Sequence, residues 1–173
     1  MTTVSVTIAG DSRSFRAALI RTGLLVAAVD GMFASVVSVT VPPLSSPLRL
    51  FQGVASVLLG REALSGGLAT GAIGVLMHIG VAFFWSGVFM LAIRSSDALR
   101  DSLRSWPRAL AIAAVYGMSI WLIMSLVVIP SMVHRPPTIG PRYWVQLLGH
   151  IPFVAMPMVL ANRHRPRIKS VDV

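Results

Sequence analysis

Four stretches of the chain, at about residues 22–41, 68–93, 109–129 and 143–161, are apolar over a length that crosses a bilayer. Hydrocarbon holds no water to satisfy backbone N–H and C=O groups, so a crossing segment must be a helix or part of a closed barrel. The four runs are continuous rather than alternating, which is the helical pattern. They predict an all-α integral membrane protein with four transmembrane helices. Composition agrees: 55% of the residues are hydrophobic and only 12% are charged, and the mean hydropathy is +0.77.

The net charge of +9 suggests nucleic acid until the charges are placed. Arg13, Arg16 and Arg21 precede the first span, and Arg94, Arg100, Arg104 and Arg108 lie between the second and third. Arg163, Arg165, Arg167 and Lys169 follow the fourth. Eleven of the fifteen basic residues therefore fall on one side, leaving Arg49, Arg61, Arg135 and Arg142 on the other. By the positive-inside rule both termini are cytoplasmic, as in a bacterial inner-membrane protein. The basic excess is a topology signal and an attraction for anionic headgroups, not a nucleic-acid footprint.

With no cysteine, disulfides, thiolate metal sites and haem attachment through Cys are excluded. Residues 1–16 are rich in Thr and Ser and predict a flexible N-terminal segment. Their alternation from Thr3 to Ile8 has a strand period without a pairing partner. The apolar run that follows is longer than the hydrophobic region of a signal peptide, so the first span reads as a retained anchor.

Pro42-Pro43 ends the first span, and Ser46-Pro47 offers an N-cap with proline at the first helical position. Leu48, Phe51, Ala55 and Leu58 share one face of the helix predicted over 48–59, which is too short to cross. It is either interfacial on the outer side or re-entrant. The second span carries Gly67, Gly71, Gly74, His78, Ala82 and Ser86 at steps of three and four. Such a face, with Gly67, Gly71, Gly74 and Ala82 as packing positions, lets helices approach closely and buries His78 between them. Asp97, Arg100, Asp101 and Arg104 predict a short cytoplasmic helix with weak surface pairs. The third span has its own small face, Ala109, Ala113 and Gly117, leading to Trp121, and Ile129-Pro130 is expected to end it. Tyr143-Trp144 opens the fourth span, where Pro152 and Pro157 predict a kink beside His150. His134, in a loop, and His164, in the basic tail from 162 to 173, read as solvated.

Asp30 is the exception inside the first run. An ionisable group at that depth is a functional candidate by default. With the termini inside, Asp30, His78 and His150 lie within about 6 Å of one another in depth at 1.5 Å rise per residue. Gln52, Tyr116, Trp121 and Gln146 are candidate neighbours. An Asp–His set relays protons, binds divalent metal or, through two histidines, holds haem; it also clamps helices. The leading expectation is a polar site of Asp30, His78 and His150 that couples protons to a solute. A structural or assembly role and an intramembrane metal site are the alternatives. No nucleophile motif, phosphate loop or HExxH-type sequence is present, so the pattern does not favour an enzyme, and no cofactor is identified. The solute is unidentified; association into a homo-oligomer is left open, because four helices are few to enclose a path.

Met77-His-Ile-Gly-Val-Ala-Phe83, Ile129-Pro-Ser-Met132 with Pro136-Pro137, and Leu147-Leu-Gly-His-Ile-Pro-Phe153 resemble segments of the YagU-like family of small bacterial inner-membrane proteins. Pro42-Pro43 also fits. The resemblance implies a four-helix inner-membrane fold with a histidine in the second and fourth spans. Its members are largely without an assigned activity, so it implies no substrate. The family's first span carries a Lys and a Glu where this chain has Asp30 alone, so no transport mechanism carries over.

Overall fold

The structure, a computed structural model, describes residues 4–163, with side chains described from residue 14 onward. Residues 1–3 and 164–173, which hold His164 and all of the predicted basic tail beyond Arg163, lie outside the described residues. Among those described, four helices are long and apolar enough to span a membrane: Ser14–Thr40, Gly67–Ser95, Trp106–Val133 and Pro141–Asn162. The first belongs to a longer helix, α1 (Val4–Thr40), whose 37 residues reach about 55 Å. Its backbone is helical from Val4, so residues 4–8 of the strand-like alternation are helix instead.

The short helix α2 (Pro47–Leu59) starts as its sequence requires: the Arg49 amide donates to the Ser46 hydroxyl at 3.1 Å, and Pro47 stands at the first turn, where no amide hydrogen is needed. A 3-10 turn, Arg61–Ser65, leads to α3 (Gly67–Ser95), the second span. Then α4 (Asp97–Ser102) is capped by the Ser96 hydroxyl, which accepts from the Leu99 amide at 3.2 Å. Arg100 pairs with Asp97 at 2.9 Å and donates to the Ile93 and Arg94 carbonyls that α3 leaves open.

The third span is α5 (Trp106–Ile123) and α6 (Ile129–Val133), joined by a π turn over Met124–Val128. Pro130 does not end it. The Ile129 amide bonds five residues back to the Met124 carbonyl, and the extra residue in that turn accommodates the proline. The helix ends at His134, which takes a left-handed conformation with φ 52°. The fourth span repeats the device: α7 (Pro141–His150) and α8 (Met156–Asn162) are joined by a π turn over Ile151–Ala155. The disruption expected beside His150 takes this form.

Helix α1 packs against α3 on one side and the fourth span on the other, and the fourth span packs against α5. Small residues set these approaches. Ala109 and Ala113 are fully buried, and Gly117 lies against the His150 backbone. Gly149 lies under the Phe33 ring, which stacks on Phe153 at 4.4 Å between centroids. The apolar core runs from Val26 and Ala27 through Ala82 and Phe89 to Ala155, Met158 and Val159. At one end Arg163 covers the Trp106 ring at 3.7 Å and donates to the Arg104 carbonyl at 2.9 Å, tying the end of α8 to the start of α5.

The small face of α3 divides its work. Gly71 receives the Leu48 side chain and Gly74 meets the Phe51 backbone, so this part of the stripe seats α2. Ala82, further along, enters the core. Gly67 is not a packing position. It has open space around it and a φ of 63°, and its glycine serves the turn into α3.

A methyl group at position 74 would overlap the Phe51 carbonyl, whereas one at Gly80 meets nothing within 4 Å. Gly74→Ala should therefore lower stability by about 1–3 kcal/mol, the range for overpacking. Gly80→Ala should be neutral or stabilising by up to about 1 kcal/mol, the helix-propensity gain. Thermal unfolding of the two variants in one detergent compares them; equal behaviour would contradict the seat for α2.

Candidate functional site

The Asp30 and His78 side chains face each other from α1 and α3, with His78 Nδ1 3.9 Å from Asp30 Oδ2. The imidazole is held from its other nitrogen: Nε2 lies 3.1 Å from the Ala27 carbonyl, one turn before Asp30. A carbonyl only accepts, so Nε2 carries the hydrogen and donates it. In the neutral ring Nδ1 is then a bare lone pair pointing at a carboxyl group. The two facing atoms are both acceptors unless a proton sits on one of them. At 3.9 Å they make no direct hydrogen bond, and a proton on either atom would give the pair a donor facing an acceptor.

Three features of the sequence build this arrangement. Gly31 carries no side chain beside the ring; a Cβ there would come within 3.3 Å of His78 Nε2. Ala27 is small, so its carbonyl can be approached from α3. Phe51 of α2 closes one side, its ring edge-on to His78 at 5.8 Å between centroids. The two side chains keep 16% (His78) and 17% (Asp30) of their surface exposed, so the pair is not sealed. Asp30 Oδ1, by contrast, is buried and has no hydrogen-bond partner among the described residues.

His150 stands apart from this contact. No hydrogen bond or ion pair joins it to Asp30 or His78 among the described residues. Its Nδ1 lies 2.7 Å from the Gln146 carbonyl in its own helix, so here Nδ1 is the donor and Nε2 the lone pair. The ring packs on Trp121 at 4.9 Å, and Trp121 packs on Tyr143 at 5.5 Å. The Ser125 hydroxyl donates to the Tyr143 hydroxyl at 3.3 Å, inside the span that Trp121 occupies. Trp121 is thus a neighbour of His150, and Gln146 contributes its backbone carbonyl.

Two other expected neighbours do different work. Gln52 is buried but donates to the Gly67 carbonyl at 3.0 Å, tying α2 to the start of α3. Tyr116 donates its hydroxyl to the Trp85 carbonyl at 2.7 Å and packs on Phe89, so it joins α5 to α3 away from Asp30. Among the described residues no group of three His, Cys, Asp or Glu side chains is placed to hold a metal ion. His134 is exposed at the end of the third span.

Sequence reasoning missed Phe51, Ala27 and Arg142. The Arg142 guanidinium reaches from α7 to α1, donating to the Val41 carbonyl at 2.9 Å, to the Ser38 carbonyl at 3.3 Å and to the Pro43 carbonyl. An arginine at the first turn of one span, near the open carbonyls ending another, is a signal that sequence could have offered. The chain matches no family model, no curated protein and no solved structure.

The two intramembrane histidines should be opposite tautomers when neutral. With His134 and His164 replaced by Gln so that only His78 and His150 report, nitrogen-15 solid-state NMR of histidine-labelled protein in lipid at alkaline pH should show one ring protonated at Nε2 and one at Nδ1. Replacement of His78 by Phe should remove the Nε2-protonated signal, and one shared tautomer would contradict the carbonyl contacts.

Proposed function

We propose that the protein is a small bacterial inner-membrane protein, with both termini cytoplasmic, whose Asp30–His78 pair binds and releases a proton coupled to movement of a solute. His150 acts on the pair electrostatically. The observation that carries this reading is the pair itself: a carboxyl group and an imidazole nitrogen 3.9 Å apart within apolar spans, with the second nitrogen fixed on the Ala27 carbonyl. A fixed ring whose free nitrogen faces a carboxyl group can pass one proton between the two with little movement. Intramembrane ionisable residues placed in this way mark proton relays. The likeness to YagU-like proteins around His78 and His150 belongs to the same reading, as do the contacts of the arginine-rich end with anionic headgroups. Self-association would supply walls that four helices lack.

A second reading has its own observation. The bond from His78 to the Ala27 carbonyl joins α3 to α1 whatever Asp30 does, and such bonds stabilise membrane helices by about 0.6 kcal/mol on average. In that case the polar residues are helix clamps of a structural or assembly protein.

Purified protein in liposomes carrying an internal pH dye separates the two. The proton reading expects the wild type to dissipate an imposed pH gradient well above the protein-free rate. Asp30→Asn and His78→Phe should each slow it at least about tenfold, as loss of a positioned proton-transfer group does. If Asp30→Asn dissipates the gradient as fast as the wild type, the proton reading is wrong. The clamp reading expects no gradient dissipation, and a stability loss below about 2 kcal/mol for His78→Phe.

A further inference from the structure

Helix α1 ends at Thr40, and Pro42 and Pro43 follow it. Proline has no amide hydrogen, so the Ser38 and Val39 carbonyls lose the donors that residues 42 and 43 would supply in a continuing helix. The last turn of α1 contains no basic side chain to compensate. The negative end of α1 is therefore a group of backbone oxygens that needs donors from elsewhere.

Arg142 supplies them from 101 residues beyond Val41. Its Nε lies 3.3 Å and its Nη2 2.9 Å from the Val41 carbonyl. Nη2 also reaches the Ser38 carbonyl at 3.3 Å and the Pro43 carbonyl. Three carbonyls thus gather on one edge of a planar cation. No carboxylate pairs with Arg142 among the described residues, so its charge is met by backbone oxygens and by the α1 dipole. On its own helix the residue is badly placed, because the first turn of α7 is the positive end. The position serves α1, not α7.

The cradle selects a kind of cation. Nε and Nη2 form one edge of the guanidinium fork, whereas an ammonium is a compact, strongly hydrated point charge without such an edge. Beneath the cradle Val37 and Ser38 of α1 and Tyr143 and Gln146 of α7 are buried. Phe33 on Gly149 joins the same two spans about 12 Å further back along α1. The guanidinium ties the tips that extend beyond that contact.

We propose that the end of α1 is a guanidinium-binding site, occupied by Arg142 of the chain itself, and that its occupancy holds the tips of α1 and the fourth span together. Arg142 is a positioning residue for the two helices that carry Asp30 and His150. The site is made by carbonyls that Pro42-Pro43 leaves open, so it persists when the Arg142 side chain is removed, and a free guanidinium ion then enters it. This goes beyond the proton reading and does not depend on it.

The chain has no cysteine, so spin labels can be placed at Val39→Cys and Leu148→Cys, two exposed positions, one on each helix. In lipid nanodiscs, double electron–electron resonance should give one narrow distance for this pair while Arg142 is present. Arg142→Ala should lengthen and broaden it. Guanidinium chloride at about 50 mM, where its denaturing action is slight, should restore the narrow distance. Methylammonium should need at least about tenfold more, the factor that one charge-assisted hydrogen bond gives. Sodium chloride at matched ionic strength should leave the distribution broad. Arg142→Lys should restore the distance only in part.

An Arg142→Ala distribution identical to that of the parent would overturn the proposal, because the side chain would then hold nothing. So would broadening that guanidinium leaves unchanged, or that methylammonium or sodium reverses equally well. If Arg142→Ala folds poorly, the yield of folded protein by size-exclusion chromatography replaces the distance. Recovery with guanidinium over sodium is then expected, and equal yields in the two salts overturn the site. The distances are measured without a pH gradient, so they stand or fall apart from the proton reading.

Discussion

A backbone carbonyl inside hydrocarbon has no water to turn to, and the way this chain meets that constraint organises its helices. Side chains of one element donate to carbonyls of another: His78 to Ala27, Tyr116 to Trp85, Gln52 to Gly67 and Arg142 to Ser38 and Val41. The contacts run from α3 to α1, α5 to α3, α2 to α3 and α7 to α1. Dispersion and close packing at small residues supply the attraction between helices in lipid. These directional bonds add azimuth and depth, because each donor must meet one particular carbonyl. Helix α1 receives two of them, consistent with its place between α3 and the fourth span.

The same constraint explains the two π turns. Proline removes an amide and crowds the carbonyl four residues back, and in lipid the freed groups cannot be left to solvent. Widening one turn moves the neighbouring amide to the fifth carbonyl, as Ile129 does to Met124 and Met156 does to Ile151. Both π turns lie on the elements that carry Trp121, Ser125 and His150. Turns of this kind are frequent at functional sites, and here they interrupt regular backbone beside the His150 imidazole and the Trp121 ring it packs on.

The sequence carried depth better than direction. Apolar run length placed the last three spans and α2 to within about four residues, because crossing a bilayer fixes length, whereas the first span begins at Ser14, eight residues before the apolar run, in a helix that continues back to Val4. Gly71, Gly74 and Ala82 marked the packed face of α3, because close approach requires small residues. Azimuth was harder. Gln52 and Tyr116 lie near the site in sequence-derived depth, but each meets a carbonyl elsewhere, and a carbonyl has no letter in the sequence. Ala27 was invisible as a hydrogen-bond acceptor for that reason. Pro130 was read as a stop because the π turn that absorbs it depends on no particular residue type.

The pairing of Asp30 with His78 also bears on which role the polar residues serve. The bond from His78 Nε2 to the Ala27 carbonyl already joins α3 to α1, and it needs no acid nearby. At 3.9 Å the carboxyl group adds no direct hydrogen bond to that junction, and its Oδ1 stays buried with no partner among the described residues. Inserting an aspartate at the centre of a span costs about 3 kcal/mol. A clamp would be served as well by an apolar or amide residue at position 30, at lower cost. What the carboxyl group adds is a second place for the proton that His78 Nδ1 can hold. A proton site uses that property and a clamp does not.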